Sequence, residues 1–119
     1  VDSTFNDSQP IYRQLRDRVV ASILDGSLKE GDLLPSVRVV AAEFRVNPLT
    51  VLKAYQELAD QDLIEKRRGL GMAVRDGARK VLFERERSKF LREEWPRIAA
   101  TIERLGLSPA DLLSPAKKE

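Results

Sequence analysis

Apolar side chains recur at Ile11, Leu15, Val19 and Ile23, with Arg13, Arg16, Asp17 and Asp25 between them, a spacing that predicts an amphipathic helix over residues 10–25. Gly26 ends it. The stretch from Asp25 to Asp32 carries turn chemistry, and Leu33-Leu34 reads as a short strand before Pro35. Ser36 is placed to cap a second helix over 36–44, whose stripe is Val37, Val40, Ala41 and Phe44. After Arg45-Val46, Asn47 caps a third helix over 48–61. Pro48 takes its first position, where a missing N–H costs nothing, and Val51, Ala54, Tyr55 and Leu58 follow at i, i+3, i+4 and i+7.

Helical periodicity stops after Gln61-Asp62. Leu63-Ile64-Glu65-Lys66-Arg67 predicts a strand, Arg68-Gly69-Leu70-Gly71 a tight turn and Met72-Ala73-Val74-Arg75 the returning strand. Two helices joined by a short turn and followed by a hairpin make a winged helix-turn-helix, mainly α with a small β-hairpin wing. Beyond Asp76-Gly77 the chain becomes a long charged helical stretch. Phe83 and Phe90 lie one heptad apart, and Leu91, Trp95, Ile98, Ile102 and Leu105 follow in steps of 4, 3, 4 and 3. Pro96 predicts a kink or break in that helix. Gly106 ends it, and Ser108 caps a last short helix that starts at Pro109 and runs to about Leu113. The chain thus divides into a winged helix-turn-helix domain over 1–76, with residues 1–9 as a mobile arm, and a short C-terminal helical tail over 77–119.

Composition narrows the chemistry. At 119 residues, 42% hydrophobic and 34% charged, the chain suits one ordinary domain with a small appendage. It contains no His and no Cys, which removes Ser-His and Cys-His nucleophilic pairs and nearly all zinc or iron sites built on nitrogen or sulfur ligands. We therefore expect no enzyme and no cofactor. The longest unbroken apolar run, Val39 to Ala42, is far shorter than a membrane span, and we expect a cytoplasmic protein without a membrane partner. Charge alone does not announce a nucleic-acid ligand. Residues 1–76 hold 11 Lys and Arg against 12 Asp and Glu, whereas 77–119 hold 10 against 7.

Local clusters and architecture say more. With one face of the third helix turned to the core, Asn47, Leu49, Thr50, Leu52 and Lys53 remain at or near the face that a helix-turn-helix lays in the major groove. Asn47 is either a plain helix cap or a base contact, Thr50 suits a base edge or a phosphate, and Leu49 suits a thymine methyl. Lys66-Arg67-Arg68-Gly69 is the densest basic cluster, with Arg68 at the wing tip, which suits an adjacent minor groove, although alternation along the strand sends neighbouring cations to opposite faces. Gly69-Leu70-Gly71 lacks the third glycine and following helix of a dinucleotide loop. Glu84, Glu86, Glu93 and Glu94 alternate with Arg85, Arg87, Lys89 and Arg92 as on a salt-bridged helix face. The stripe Phe83, Phe90, Leu91, Trp95, Ile98, Ile102 and Leu105 reads as a dimerisation and core seam.

Four separated segments carry a resemblance: Pro10-Ile11-Tyr12-Arg13-Gln14-Leu15, Gly31-Asp32-Leu33-Leu34-Pro35-Ser36-Val37-Arg38, Val46-Asn47-Pro48-Leu49-Thr50-Val51 and Arg68-Gly69-Leu70-Gly71. In this order and spacing, over about residues 10–75, the chain resembles the GntR family of bacterial transcription regulators. Asn47-Pro48 with Lys53-Ala54-Tyr55-Gln56-Glu57-Leu58 and the short tail is similar to its YtrA-type subfamily. The resemblance implies a homodimeric repressor that binds double-stranded operator DNA, with phosphate or base contacts at Ser36 and Arg38 and the tail as dimerisation unit. It also implies a transport-related operon and a near-palindromic operator; it names no effector. Leu52 stands where many members carry Arg, Leu49 occupies an exposed position in the reading helix, and Arg45 replaces a frequent turn glycine. The reading from a different class is a winged-helix protein-interaction module, for which exposed Leu49 and Leu52 speak.

Overall fold

The computed structural model describes residues 5–114, which fall into two compact units, Val1–Phe83 and Glu84–Glu119. In the first unit α1 (Ile11–Asp25), α2 (Val37–Phe44) and α3 (Pro48–Asp60) are followed by the antiparallel hairpin β1 (Ile64–Arg67) and β2 (Gly71–Val74), and then α4 (Ala78–Lys89) begins. The chain is mainly helical with a hairpin wing, as its pattern predicts. Each boundary has a local cause. Gly26 takes the left-handed conformation, φ 87°, and closes α1 with its N–H on Ile23 O. The Ser36 hydroxyl accepts from the Val39 N–H, and Asn47 Oδ1 accepts from the Leu49 N–H.

The core of this unit is the side the periodicities select. Leu15 and Ile23 of α1, Val40 and Ala41 of α2, and Val51, Ala54, Tyr55 and Leu58 of α3 are all buried in one cluster. Leu58 and Leu63 are sealed from solvent, and each contributes about 1.5–3 kcal/mol through burial. Leu33-Leu34 pairs with the hairpin through a single bridge, Leu33 to Ala73, supported by Gly31 N–H to Val74 O at 2.8 Å and Leu34 N–H to Met72 O at 2.8 Å. Pro35, with no N–H to donate, ends that pairing. Ala78 and Leu82 of α4 join the core, and the first compact unit extends to Phe83.

Two expectations change here. The arm expected to be mobile over 1–9 is docked from Phe5 onward; Val1 to Thr4 lie outside the described residues. The buried Gln14 amide donates to Asn6 O at 2.8 Å and Gln9 O at 2.7 Å and accepts from the Asn6 N–H at 3.1 Å, while the Phe5 ring packs 5.6 Å from Phe44. A buried amide must find partners, and the backbone of the arm supplies them. The second change concerns Ser108. It stands at the N-cap position of α6 (Pro109–Leu113), yet its side chain makes no capping bond.

In the second unit a π-helical turn, Phe90–Glu94, leads into α5 (Trp95–Arg104) and then α6. Pro96 neither breaks nor ends the helix. It has no N–H for the Arg92 carbonyl and its ring would press on it, and the wider turn, in which the Trp95 N–H reaches Phe90 O, makes room. No residue of the π turn, α5 or α6 is buried. Among the described residues no helix is long and apolar enough to cross a membrane.

Candidate nucleic-acid interface

Three elements of the first unit converge on Leu34-Pro35. Leu34 pairs with Met72 of β2, Ser36 immediately begins α2, and the Tyr55 hydroxyl of α3 donates to Pro35 O at 2.7 Å. The start of α2, the second helix of the helix-turn-helix and the base of the wing are therefore fixed to one short stretch of backbone. Burial pushes the Tyr55 phenol up to about 12, so it remains a donor throughout the neutral range.

At the start of α2, Ser36 and Arg38 are both exposed. The Ser36 oxygen serves as cap acceptor at 3.2 Å from the Val39 nitrogen, which leaves its own O–H to donate. The unpaired N–H groups of that helix end favour an anion beside Arg38. The turn to α3 passes through Arg45, whose φ of 58° and ψ of 49° are left-handed, a conformation that a glycine would take with less strain.

On α3 the outward face carries Asn47, Leu49, Leu52, Lys53 and Gln56, all exposed, and Thr50 is half-buried. Asn47 is a cap, with Oδ1 2.8 Å from the Leu49 nitrogen; its amide NH2 is chemically suited to a base edge or phosphate. Lys53 is drawn back to α1, with Nζ 4.1 Å from the centroid of the Tyr12 ring. Tyr12 is a contributor that the pattern of α3 alone could not reveal.

The wing tip closes through Leu70 N–H to Arg67 O at 2.9 Å, and Gly69 supplies the positive φ, 77°, that the turn needs. A Cβ built at Gly69 or Gly71 meets nothing within 4 Å, so another backbone can approach closely there. The wing cations separate as alternation requires. Arg67 is half-buried and pairs with Glu65 at 3.4 Å, whereas Lys66 and Arg68 are exposed.

The expected dimerisation stripe draws Phe83 from the first unit and its other six residues from the second. Phe83 belongs to the first unit, where the Arg79 guanidinium lies 4.8 Å over its ring. Arg79 in turn donates to Leu24 O near the end of α1, at 2.9 and 3.2 Å. In the second unit the Phe90 and Trp95 rings lie 6.3 Å apart. Residues five apart point to different sides of an α-helix, so it is the π turn that sets Phe90, in place of Leu91, beside Trp95. Ile98 and Leu105 are exposed and Ile102 is half-buried.

A helix-turn-helix with an exposed second helix and a glycine-tipped wing defines a winged-helix protein of the DNA-binding class. The model of bacterial regulatory proteins of the gntR family matches residues 11–74, more than half of the chain, and the chain belongs to that family. It is similar to the uncharacterized HTH-type transcriptional regulator YhcF of Bacillus subtilis, 32% identical over 98% of this chain and 95% of that protein. It is also similar to the HTH-type transcriptional repressor YtrA of the same organism, 43% identical over 65% of this chain and 59% of YtrA. A GntR family transcriptional regulator from Listeria monocytogenes matches 97% of the chain and 99% of its own at a TM-score of 0.70 and 30% identity. The AraR DNA-binding domain in complex with operator ORR3 matches 62% of the chain and 87% of its own, with a TM-score of 0.53 and 26% identity. The chain is a GntR-family transcriptional regulator of the YtrA type, and its relatives and fold are those of DNA-binding regulators, not of enzymes.

Proposed function

We propose that this chain is a cytoplasmic homodimeric repressor that binds a near-palindromic operator of a transport-related operon. The observation that carries the reading is the outward face of α3, held by Tyr55 to the junction from which α2 and the wing also depart. Asn47, Leu49 and Thr50 read the major groove with Lys53 at the backbone beside them, Ser36 and Arg38 meet phosphates or bases at its edge, and Arg67, Arg68 and Gly69 address the flanking minor groove. AraR was solved with its operator on a related domain, and YtrA is named a repressor, which supports the same role here. The transport-related target follows the YtrA-type resemblance.

Dimerisation has its own support. From Phe90 to Leu113 no residue is buried, yet Phe90, Leu91, Trp95, Ile98, Leu105, Leu107, Leu112 and Leu113 are large and apolar. So much exposed apolar surface on so short a unit calls for a partner, and a second copy of Phe90, Leu91, Trp95, Ile98, Ile102 and Leu105 supplies one. Two-fold symmetry then sets half-sites about 34 Å apart or a multiple of it.

Fluorescence anisotropy of the full chain on DNA from its own upstream region and on a scrambled duplex, at several salt concentrations, tests the reading. Preferential, salt-sensitive binding at two chains per duplex is expected, since each neutralised phosphate releases counterions. Equal weak binding to both, followed by failure of unbiased duplex selection, overturns it. That outcome favours the protein-interaction module, for which the 70% exposure of Leu49 is the specific observation.

A further inference from the structure

The most exposed large apolar side chain of α3 is Leu49, at 70%, and it stands in the first turn, at the end of the helix that enters a groove. Leu52, 40% exposed, lies one turn further along the same outward face. Both are bounded by a helix whose opposite side, Val51, Ala54, Tyr55 and Leu58, is buried. The one cation of α3, Lys53, is stacked on Tyr12 of α1, so the first two turns offer neither an arginine fork nor an extended lysine to a guanine edge. The placement of Leu49 is fixed by its own N–H on Asn47 Oδ1 at 2.8 Å. A leucine held this way leaves apolar surface in water in the free protein and gains from any apolar contact in the complex.

We propose that Leu49 is a specificity-determining residue that packs against the C5-methyl group of one thymine in each operator half-site, with Leu52 closing the far side of the contact. This rests on the operator-binding reading above. Thymine carries the one apolar group that a base pair presents in the major groove. A guanine at the same place would set O6 and N7 against leucine with no donor, so the contact rejects G·C as well as selecting A·T. The recognition code at this position is therefore apolar.

Deoxyuridine differs from thymine by that methyl alone, which gives a direct test. Duplexes are selected from a random pool with the full chain, and each thymine of the enriched site is replaced in turn by deoxyuridine. In the wild type, one position per half-site loses about fourfold in affinity per methyl removed, the factor that burial of one such group supplies. Leu49→Ala binds the thymine and deoxyuridine duplexes equally at that position. Its thermal midpoint stays at the wild-type value, because the side chain lies outside the core. Deoxyuridine without effect at every position overturns the proposal, and so does a penalty that persists undiminished in Leu49→Ala. A pool from which nothing is enriched defeats the operator-binding reading itself, and with it the proposal, before any deoxyuridine duplex is made.

Discussion

The Tyr55 hydroxyl donates to Pro35 O at 2.7 Å, across a sequence separation of 20 residues. Helix α3 is thereby tied to the residue just before the cap of α2, where Leu34 is also paired to β2. Tyr55→Phe removes the donor, keeps the ring and leaves the Pro35 carbonyl short of a partner, at a cost of about 1–2 kcal/mol. Burial holds the Tyr55 phenol at about 12 in the folded state, against an ordinary value of about 10 in the unfolded chain. The unfolded chain therefore gives up this proton first. The contribution is whole below pH 10 and is lost as pH rises from 10 towards 12. Thermal unfolding from pH 9 to 12 checks both parts: the wild type is more stable at pH 9, and its advantage over Tyr55→Phe shrinks with rising pH.

Arg45 links the two helices of the helix-turn-helix in a left-handed conformation, φ 58°, in which its Cβ crowds the backbone. Glycine takes this conformation without that crowding, though it loses more freedom on folding. Arg45→Gly is expected to be neutral to stabilising, by up to about 1 kcal/mol, an increase of up to roughly 4–8 °C in Tm for a unit of this size. A clear loss of stability would mean that the arginine side chain makes a contact worth more than the strain. Its exposure argues against that.

How much of this was legible in the sequence follows from the range of each interaction. The caps Ser36 and Asn47, the Gly26 stop and the hairpin turn at Gly69 are local, and one residue type at one position suffices to announce them. Buried and exposed faces of α3 follow from its period, which puts Leu49 on the exposed face. The docking of Phe5 on Phe44 and the Arg79 bonds to Leu24 O join residues far apart, and no local pattern encodes them. The same holds for Lys53, whose outward position is read from α3 while its stacking depends on Tyr12 of α1. Pro96 signals a disturbance in the tail helix, but the proline alone does not say that it takes the form of a π turn, which sets the Phe90 ring beside that of Trp95.

The docked arm is open to a simple test. The Arg18 guanidinium lies 4.7 Å from the Phe5 ring centroid and 5.2 Å from that of Phe44, so the two rings and the cation form one stack. Phe5→Ala should cost about 1–2 kcal/mol, through lost apolar burial and lost ring contacts. Urea denaturation followed by circular dichroism measures it. A midpoint identical to wild type would return residues 5–9 to the status of a loose arm.

The cations of the interface should not contribute equally. Arg38→Ala and Arg68→Ala each remove an exposed guanidinium, and each is expected to weaken operator binding by about 1–3 kcal/mol if it touches bases. If it touches phosphate alone, the salt dependence falls by about one unit of slope and all sequences weaken together. Arg67→Ala should have the smaller effect, because its guanidinium already pairs with Glu65 at 3.4 Å. Anisotropy titrations at three salt concentrations separate these cases, and unchanged affinity removes the residue from the interface.

Self-association can be read through Trp95, the sole tryptophan of the chain. It is 41% exposed, as is Ile98 one turn away on α5. A second copy on this face would bury the indole, so its emission should shift to the blue as concentration rises and return to the red on dilution. Ile98→Asp puts a charge into that face and forfeits an apolar side chain. It should raise the dimer dissociation constant at least about tenfold, since one buried side chain of this kind is worth about 1.5–3 kcal/mol. Far-UV circular dichroism should keep the melting of the first unit, whose core does not include Ile98. Sedimentation equilibrium completes the test. Persistence of the dimer in Ile98→Asp, with unaltered Trp95 emission, would place the self-association surface somewhere other than α5.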